Sequence, residues 1–128
     1  MICVLLLPKG ETRVYSTPVL DHFHSPRNAG ALSAPEVIGT AGEPGRGNYI
    51  VLHLKLTQNR ITECGFLTFG CPSAIAAGSC LTEMVKGRRV EEALSVTPED
   101  LERTLGGLPL GRRHCAALAV EALRQAFM

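Results

Sequence analysis

The sequence predicts an α+β domain in which helices pack on one face of a small antiparallel three-stranded sheet. Three observations carry this. Strand patterns cluster in the first half of the chain and helix patterns in the second. Tyr49 to Leu56 alternates strictly, with Ile50, Leu52, Leu54 and Leu56 on one side and Tyr49, Val51, His53 and Lys55 on the other, which marks a sheet with one buried face. Phe66 to Gly87 (FLTFGCPSAIAAGSCLTEMVKG) then passes from an apolar strand, through Gly70, into a helical period.

Taken in order, the opening MICVLLLPKG holds an apolar run, Ile2 to Leu7. It is too short to span a bilayer and lacks the basic start of a signal peptide. It reads as a short strand or a disordered lead-in, with Cys3 incidental. Thr17-Pro18 starts a helix with Val19, Leu20 and Phe23 as its apolar side, ending near His24 or Ser25 because Pro26 disfavours helical geometry before it. His22 and His24 lie two apart, face different ways and make a poor metal pair, so solvated or capping histidines are expected. Val37 to Ala41 forms a short strand, and Gly42 to Asn48 is a loop. After Tyr49 to Leu56, Gln58-Asn59 turns the chain, and Ile61 to Phe69 returns antiparallel with Cys64 buried beside Phe66.

Proline is favoured at the first position of a helix, so Cys71-Pro72 places Cys71 at the N-cap of a helix reaching about Lys86. Ala74, Ala77, Leu81, Met84 and Val85 give it one buried face. Cys80, two and a half turns beyond Cys71, belongs to the core. A short helix follows within Arg88 to Leu94, and Lys86, Arg88 and Arg89 read as a solvated basic turn. Thr97-Pro98-Glu99-Asp100 combines an N-cap, a proline and acids in the first turn of a further helix, which stops at Gly106-Gly107. The last helix begins near Arg112 or Arg113 and buries Cys115, Leu118, Ala119, Ala122, Leu123 and Ala126.

At 128 residues the chain supports one core. A net charge of +1 gives no footprint for nucleic acid or an acidic membrane surface. Five cysteines, an odd number without a secretory signal, point to reduced thiols in the cytoplasm rather than a disulfide framework.

Two positions could carry chemistry. Cys71 at a helix N-terminus faces unpaired N–H groups and the positive end of the helix dipole, and both favour thiolate. The plain alternative is a small buried cap residue. His114-Cys115 places a second thiol at a helix start, beside an imidazole, Arg112 and Arg113. No C-x-x-C motif occurs, and the glycine-rich loop before Tyr49 has neither a Walker pattern nor GxGxxG after a strand.

Three segments carry a family resemblance. YSTPVLDHFHSPRNAGAL (15–32), GFLTFGCPSAIAAGSCLTEMVKG (65–87) and RRHCAALAVEAL (112–123) resemble, in the same order, motifs of the IscU / NifU N-terminal family of iron–sulfur cluster scaffolds. The resemblance implies a domain over residues 14–128 after a lead-in of residues 1–13, with the same fold as the pattern reading. It implies assembly of an iron–sulfur cluster, foremost [2Fe–2S], from sulfur of a cysteine desulfurase and from iron, then delivery to recipient apo-proteins. Zinc can substitute for iron in a purified protein. Cys71, Cys115 and the preceding His114 match family ligand positions. Where the family has Cys-Gly-Asp before the long strand, this chain has Arg46-Gly47-Asn48. A cluster normally takes four ligands, mostly thiolates. Arg46 cannot ligate and would instead stabilise thiolates or anionic sulfur, while Asn48 offers only a weak carbonyl oxygen.

Leu108-Pro109-Leu110-Gly111-Arg112 keeps the Leu-Pro and the basic end of the segment that IscU-type members offer an Hsp70-type chaperone. Otherwise it is a loop before a helix. The expected function is a scaffold of altered ligation, binding iron or a cluster through Cys71, His114 and Cys115. A second protomer (a homodimer), a partner or an exogenous thiol would complete the site. A degenerate scaffold acting as a partner-binding module and a persulfide carrier are the alternatives. Catalysis in the strict sense is not expected.

Overall fold

The β-hairpin at the centre of the domain is set by its turn. Gln58 and Asn59 both adopt positive φ, 51° and 64°, the mirror-image turn whose twist matches antiparallel strands. It joins β2 (Tyr49–Thr57) to β3 (Arg60–Phe69), and β1 (Val37–Gly42) pairs antiparallel with β2 on the other side, giving the order β1-β2-β3. A register shift at Lys55/Leu56 interrupts the alternation, so Leu56 is half-buried while Ile50, Leu52 and Leu54 are fully buried. The computed structural model describes residues 16–43, 45, 47–109 and 112–128. The expectations for Ile2 to Leu7 and Cys3, the position of Arg46, and the Leu110-Gly111 part of the loop lie outside these residues.

Among the described residues the helices are α1 (Thr17–His24), α2 (Pro72–Val85), α3 (Val90–Leu94), α4 (Pro98–Thr104) and α5 (His114–Ala126). α5 lies against β1 and β2, α2 against β3, and α1 rests on α2. The expected fold class is the observed one. The outer edge of β3 is covered locally by the chain after α1: Gly30 N–H donates to the Phe66 carbonyl at 2.8 Å, and Phe66 N–H to the Asn28 carbonyl at 3.1 Å.

Several details depart from the sequence reading. The cap of α1 is Ser16, whose hydroxyl accepts from Val19 N–H at 3.2 Å and donates to the Leu105 carbonyl, with Pro18 one position further in. His22 is not solvated. It is 7% exposed, and its Nδ1 sits 2.7 Å from Ser79 Oγ, which also accepts from Arg27 N–H at 2.8 Å. Burial, followed by the nearby Arg27 charge, lowers its pKa and keeps it neutral. His24 is exposed, as expected. α2 is buried nearly all round rather than on one face, because α1, β3 and α5 enclose it together. Its small residues Ala74, Ala76, Ala77 and Gly78 allow that enclosure; a Cβ on Gly78 would lie 2.7 Å from the Phe66 ring. Thr97 caps α4 as expected, trading hydrogen bonds with Asp100 at 3.1 Å in both directions.

Candidate functional site

The site forms where β3 ends and two helices begin. β3 runs into Gly70 and Cys71, and Cys71 caps α2 with extended backbone (φ −82°, ψ 168°) ahead of Pro72. Opposite it, α5 starts at His114 after Arg113. Arg113 Nε holds Glu102 of α4 at 2.9 Å, which ties the start of α5 to the neighbouring helix. The sulfurs of Cys71 and Cys115 meet at 3.6 Å, and His114 Nε2 lies 3.9 Å from Cys115 Sγ. Cys115 is fully buried, Cys71 partly exposed and His114 exposed.

Asn48, on the loop before β2, joins these parts. Its Oδ1 accepts from Cys71 N–H at 2.9 Å, and its Nδ2 lies 3.3 Å from Cys115 Sγ and 3.2 Å from His114 Nε2. With the amide oxygen turned to the Cys71 backbone, Asn48 works as a positioning donor to sulfur and imidazole. The weak carbonyl oxygen expected of Asn48 is thus turned to the Cys71 backbone. Gly70 makes room for it, since a Cβ there would stand 1.8 Å from Asn48 Oδ1.

The two thiols divide one proton unequally. Cys71 is held down to about 5, first by the hydrogen bond from Cys115, then by the N–H groups of Ala74 and Ser73 and the Asn48 amide; burial opposes them. Cys115 is pushed far up by its hydrogen bond to Cys71, by burial and by the Cys71 charge. Cys71 is thus the thiolate and Cys115 keeps the proton. Burial lifts Cys64 to about 11 and Cys80 to about 12, and both are inert core thiols, as expected. Because the Cys71 pKa is lowered, its thiolate is present above about pH 5. In iron-free protein, iodoacetamide modification of Cys71 should rise through pH 5 and be level by pH 7. A midpoint in the range of an ordinary thiol, about 8.5, would refute the assignment.

An open cavity of about 590 Å³ adjoins the site, lined by Glu43, Asn48, Arg112, His114 and Leu118 among others. Glu43 and Leu118 add to the residues expected here: Glu43 sits in the loop before β2, and Leu118, on the core-facing stripe of α5, is only half-buried and also borders the cavity. Among the described residues, no three His, Cys, Asp or Glu side chains form a ready metal-holding group. Cys71, Cys115 and His114 adjoin pairwise, through Cys115.

Residues 14–128 match the family model of the NifU-like N-terminal domain. The chain is 44% identical over 115 residues to the iron-sulfur cluster assembly scaffold protein IscU 1 of Archaeoglobus fulgidus, covering 90% of this chain and 75% of that protein. It is 43% identical over 114 residues to the scaffold protein IscU of Aquifex aeolicus, covering 88% and 73%. In three dimensions it resembles the N-terminal part of a nitrogen-fixing NifU-like protein from Brucella abortus, with a TM-score of 0.68 at 19% identity over 89% of this chain and 92% of the other. The chain belongs to the family of NifU-like N-terminal domains.

Proposed function

We propose that the protein is an iron–sulfur cluster assembly scaffold that holds iron or a nascent cluster, [2Fe–2S] foremost, on Cys71, Cys115 and His114. The observation that carries this is the 3.6 Å approach of two sulfurs at the starts of two helices, with an exposed imidazole beside them. Thiolate and imidazole are ligands suited to iron and to zinc, which can stand in for it. The cluster is cargo, and an exposed imidazole beside a half-exposed thiol leaves it open to transfer. Asn48 holds the Cys71 backbone and hydrogen-bonds Cys115. Arg46 in place of a thiolate leaves coordination incomplete within one chain, so a second protomer, a partner or an exogenous thiol supplies the remainder.

On this reading a cysteine desulfurase delivers sulfur, an Hsp70-type chaperone meets the Leu108-Pro109 segment, and cytoplasmic apo-proteins receive the cluster. The working unit is residues 14–128, with 1–13 as a lead-in. No described helix is long and apolar enough to cross a membrane.

Anaerobic reconstitution with iron and inorganic sulfide tests the reading by visible absorption and iron content. The wild-type chain should become coloured with stoichiometric iron, and Cys71→Ser should lose both. A folded wild-type protein that stays colourless would sink it.

A further inference from the structure

Resting on the scaffold reading, we propose that Cys71 and Cys115 form a reducing dithiol that converts a persulfide delivered to Cys71 into free sulfide. Geometry carries the inference. The two sulfurs are 3.6 Å apart and need only close to the ~2.05 Å of a disulfide. Their exposure is unequal: Cys71 is partly open to an incoming sulfur donor, whereas Cys115 is 0% exposed. That arrangement gives one acceptor thiol and one resolving thiol. Asn48 Nδ2, 3.3 Å from Cys115 Sγ, keeps the second sulfur facing the first. The other described cysteines cannot compete. Cys64 is buried on β3, and the sulfur of Cys80 turns to Met84 Sδ at 3.8 Å.

A single turnover balances with the two thiols as the reductant. The Cys71 thiolate takes the outer sulfur from a protein or small-molecule persulfide, whose own thiolate leaves, and Cys71 becomes a persulfide. Cys115 then attacks the inner sulfur, the one bonded to the Cys71 Cβ. The bond between the two persulfide sulfurs breaks, a Cys71–Cys115 disulfide forms, and the outer sulfur departs as hydrosulfide with the proton from Cys115. The transferred sulfur gains two electrons, and the two cysteine sulfurs lose one each. The product is sulfide, the oxidation state that a cluster contains, released beside its site of assembly. A dithiol reductant in the surroundings restores the pair for the next turn.

A single turnover on the full chain tests this. Reduced, iron-free protein is loaded anaerobically with one equivalent of glutathione persulfide and desalted at once, then followed by intact mass and by sulfide release. The wild type should lose two hydrogens and release roughly one sulfide per chain, matching one disulfide per turnover. Cys115→Ser should stop with one added sulfur on Cys71 and no release. A wild-type chain that retains a stable persulfide overturns the proposal, whether or not the serine variant folds. Reconstitution from iron and inorganic sulfide bypasses the persulfide. A chain that assembles a cluster that way yet keeps its persulfide overturns this step alone. One that releases sulfide with a disulfide but never holds a cluster supports the step and sinks the scaffold reading.

Discussion

Gly70→Ala is expected to dismantle the thiol site while leaving the sheet and helices folded. The added methyl would stand 1.8 Å from Asn48 Oδ1, 2.7 Å from its Cγ and 3.1 Å from its Cα. The first two contacts can be relieved by swinging the side chain away, but that ends the hydrogen bonds to Cys71 N–H, Cys115 Sγ and His114 Nε2 together. Cys71 would lose one source of its low pKa and its fixed position opposite Cys115. Gly70 lies outside both β3 and α2, so regular structure should survive. Circular dichroism should therefore match the wild type, while the midpoint for iodoacetamide modification of Cys71 rises by about one pH unit and iron retention falls. An unchanged midpoint would show that Asn48 does not govern the thiol.

Gly39→Ala should act on the whole domain. Gly39 faces α5 from β1, and a Cβ there would be 2.0 Å from the Ala122 carbonyl oxygen, 2.9 Å from Ala126 N and 2.8 Å from Ala126 Cβ. Two of these are backbone atoms and cannot rotate aside, so the helix must lift from the sheet. Overpacking of this kind costs about 1–3 kcal/mol, occasionally more. That lowers the melting temperature by roughly 4 °C for each kcal/mol in a chain of this size. The same displacement moves His114 and Cys115, because α5 begins with them. Thermal unfolding monitored by circular dichroism, with cluster reconstitution on the same sample, checks both effects. A melting temperature equal to that of the wild type would mean that α5 is held less closely than the structure shows.

Local chemistry was readable in the sequence wherever it decides the structure alone. The alternation of Tyr49 to Leu56 and the Thr97-Pro98 start needed only near neighbours, and both strand and helix stand where expected. Cys71 as a cap followed from one proline, and Cys115 from its place at a helix start. Contacts between distant residues were not readable that way. His22 and Ser79 are 57 positions apart, and two histidines spaced by two on a short helix gave no reason to bury one. The role of Asn48 depends on where its amide points, which is set by Gly70, 22 residues on and without a side chain. α2 looked one-sided because its enclosure is a property of three neighbours, none of them encoded within the helix itself.

The thiol pair joins residues 44 positions apart, and Asn48 reaches 67 positions to Cys115. A ribosome adding roughly 5–20 residues per second takes a few seconds to cover the first interval. Throughout it, Cys71 is already made while its counterpart is not. The hairpin can pair and α2 can begin to settle, yet the Cys71–Cys115 pair does not exist. The pair comes into being only once α5 docks on β1, so the close approach of these two sulfurs is a property of the finished fold and not of the growing chain.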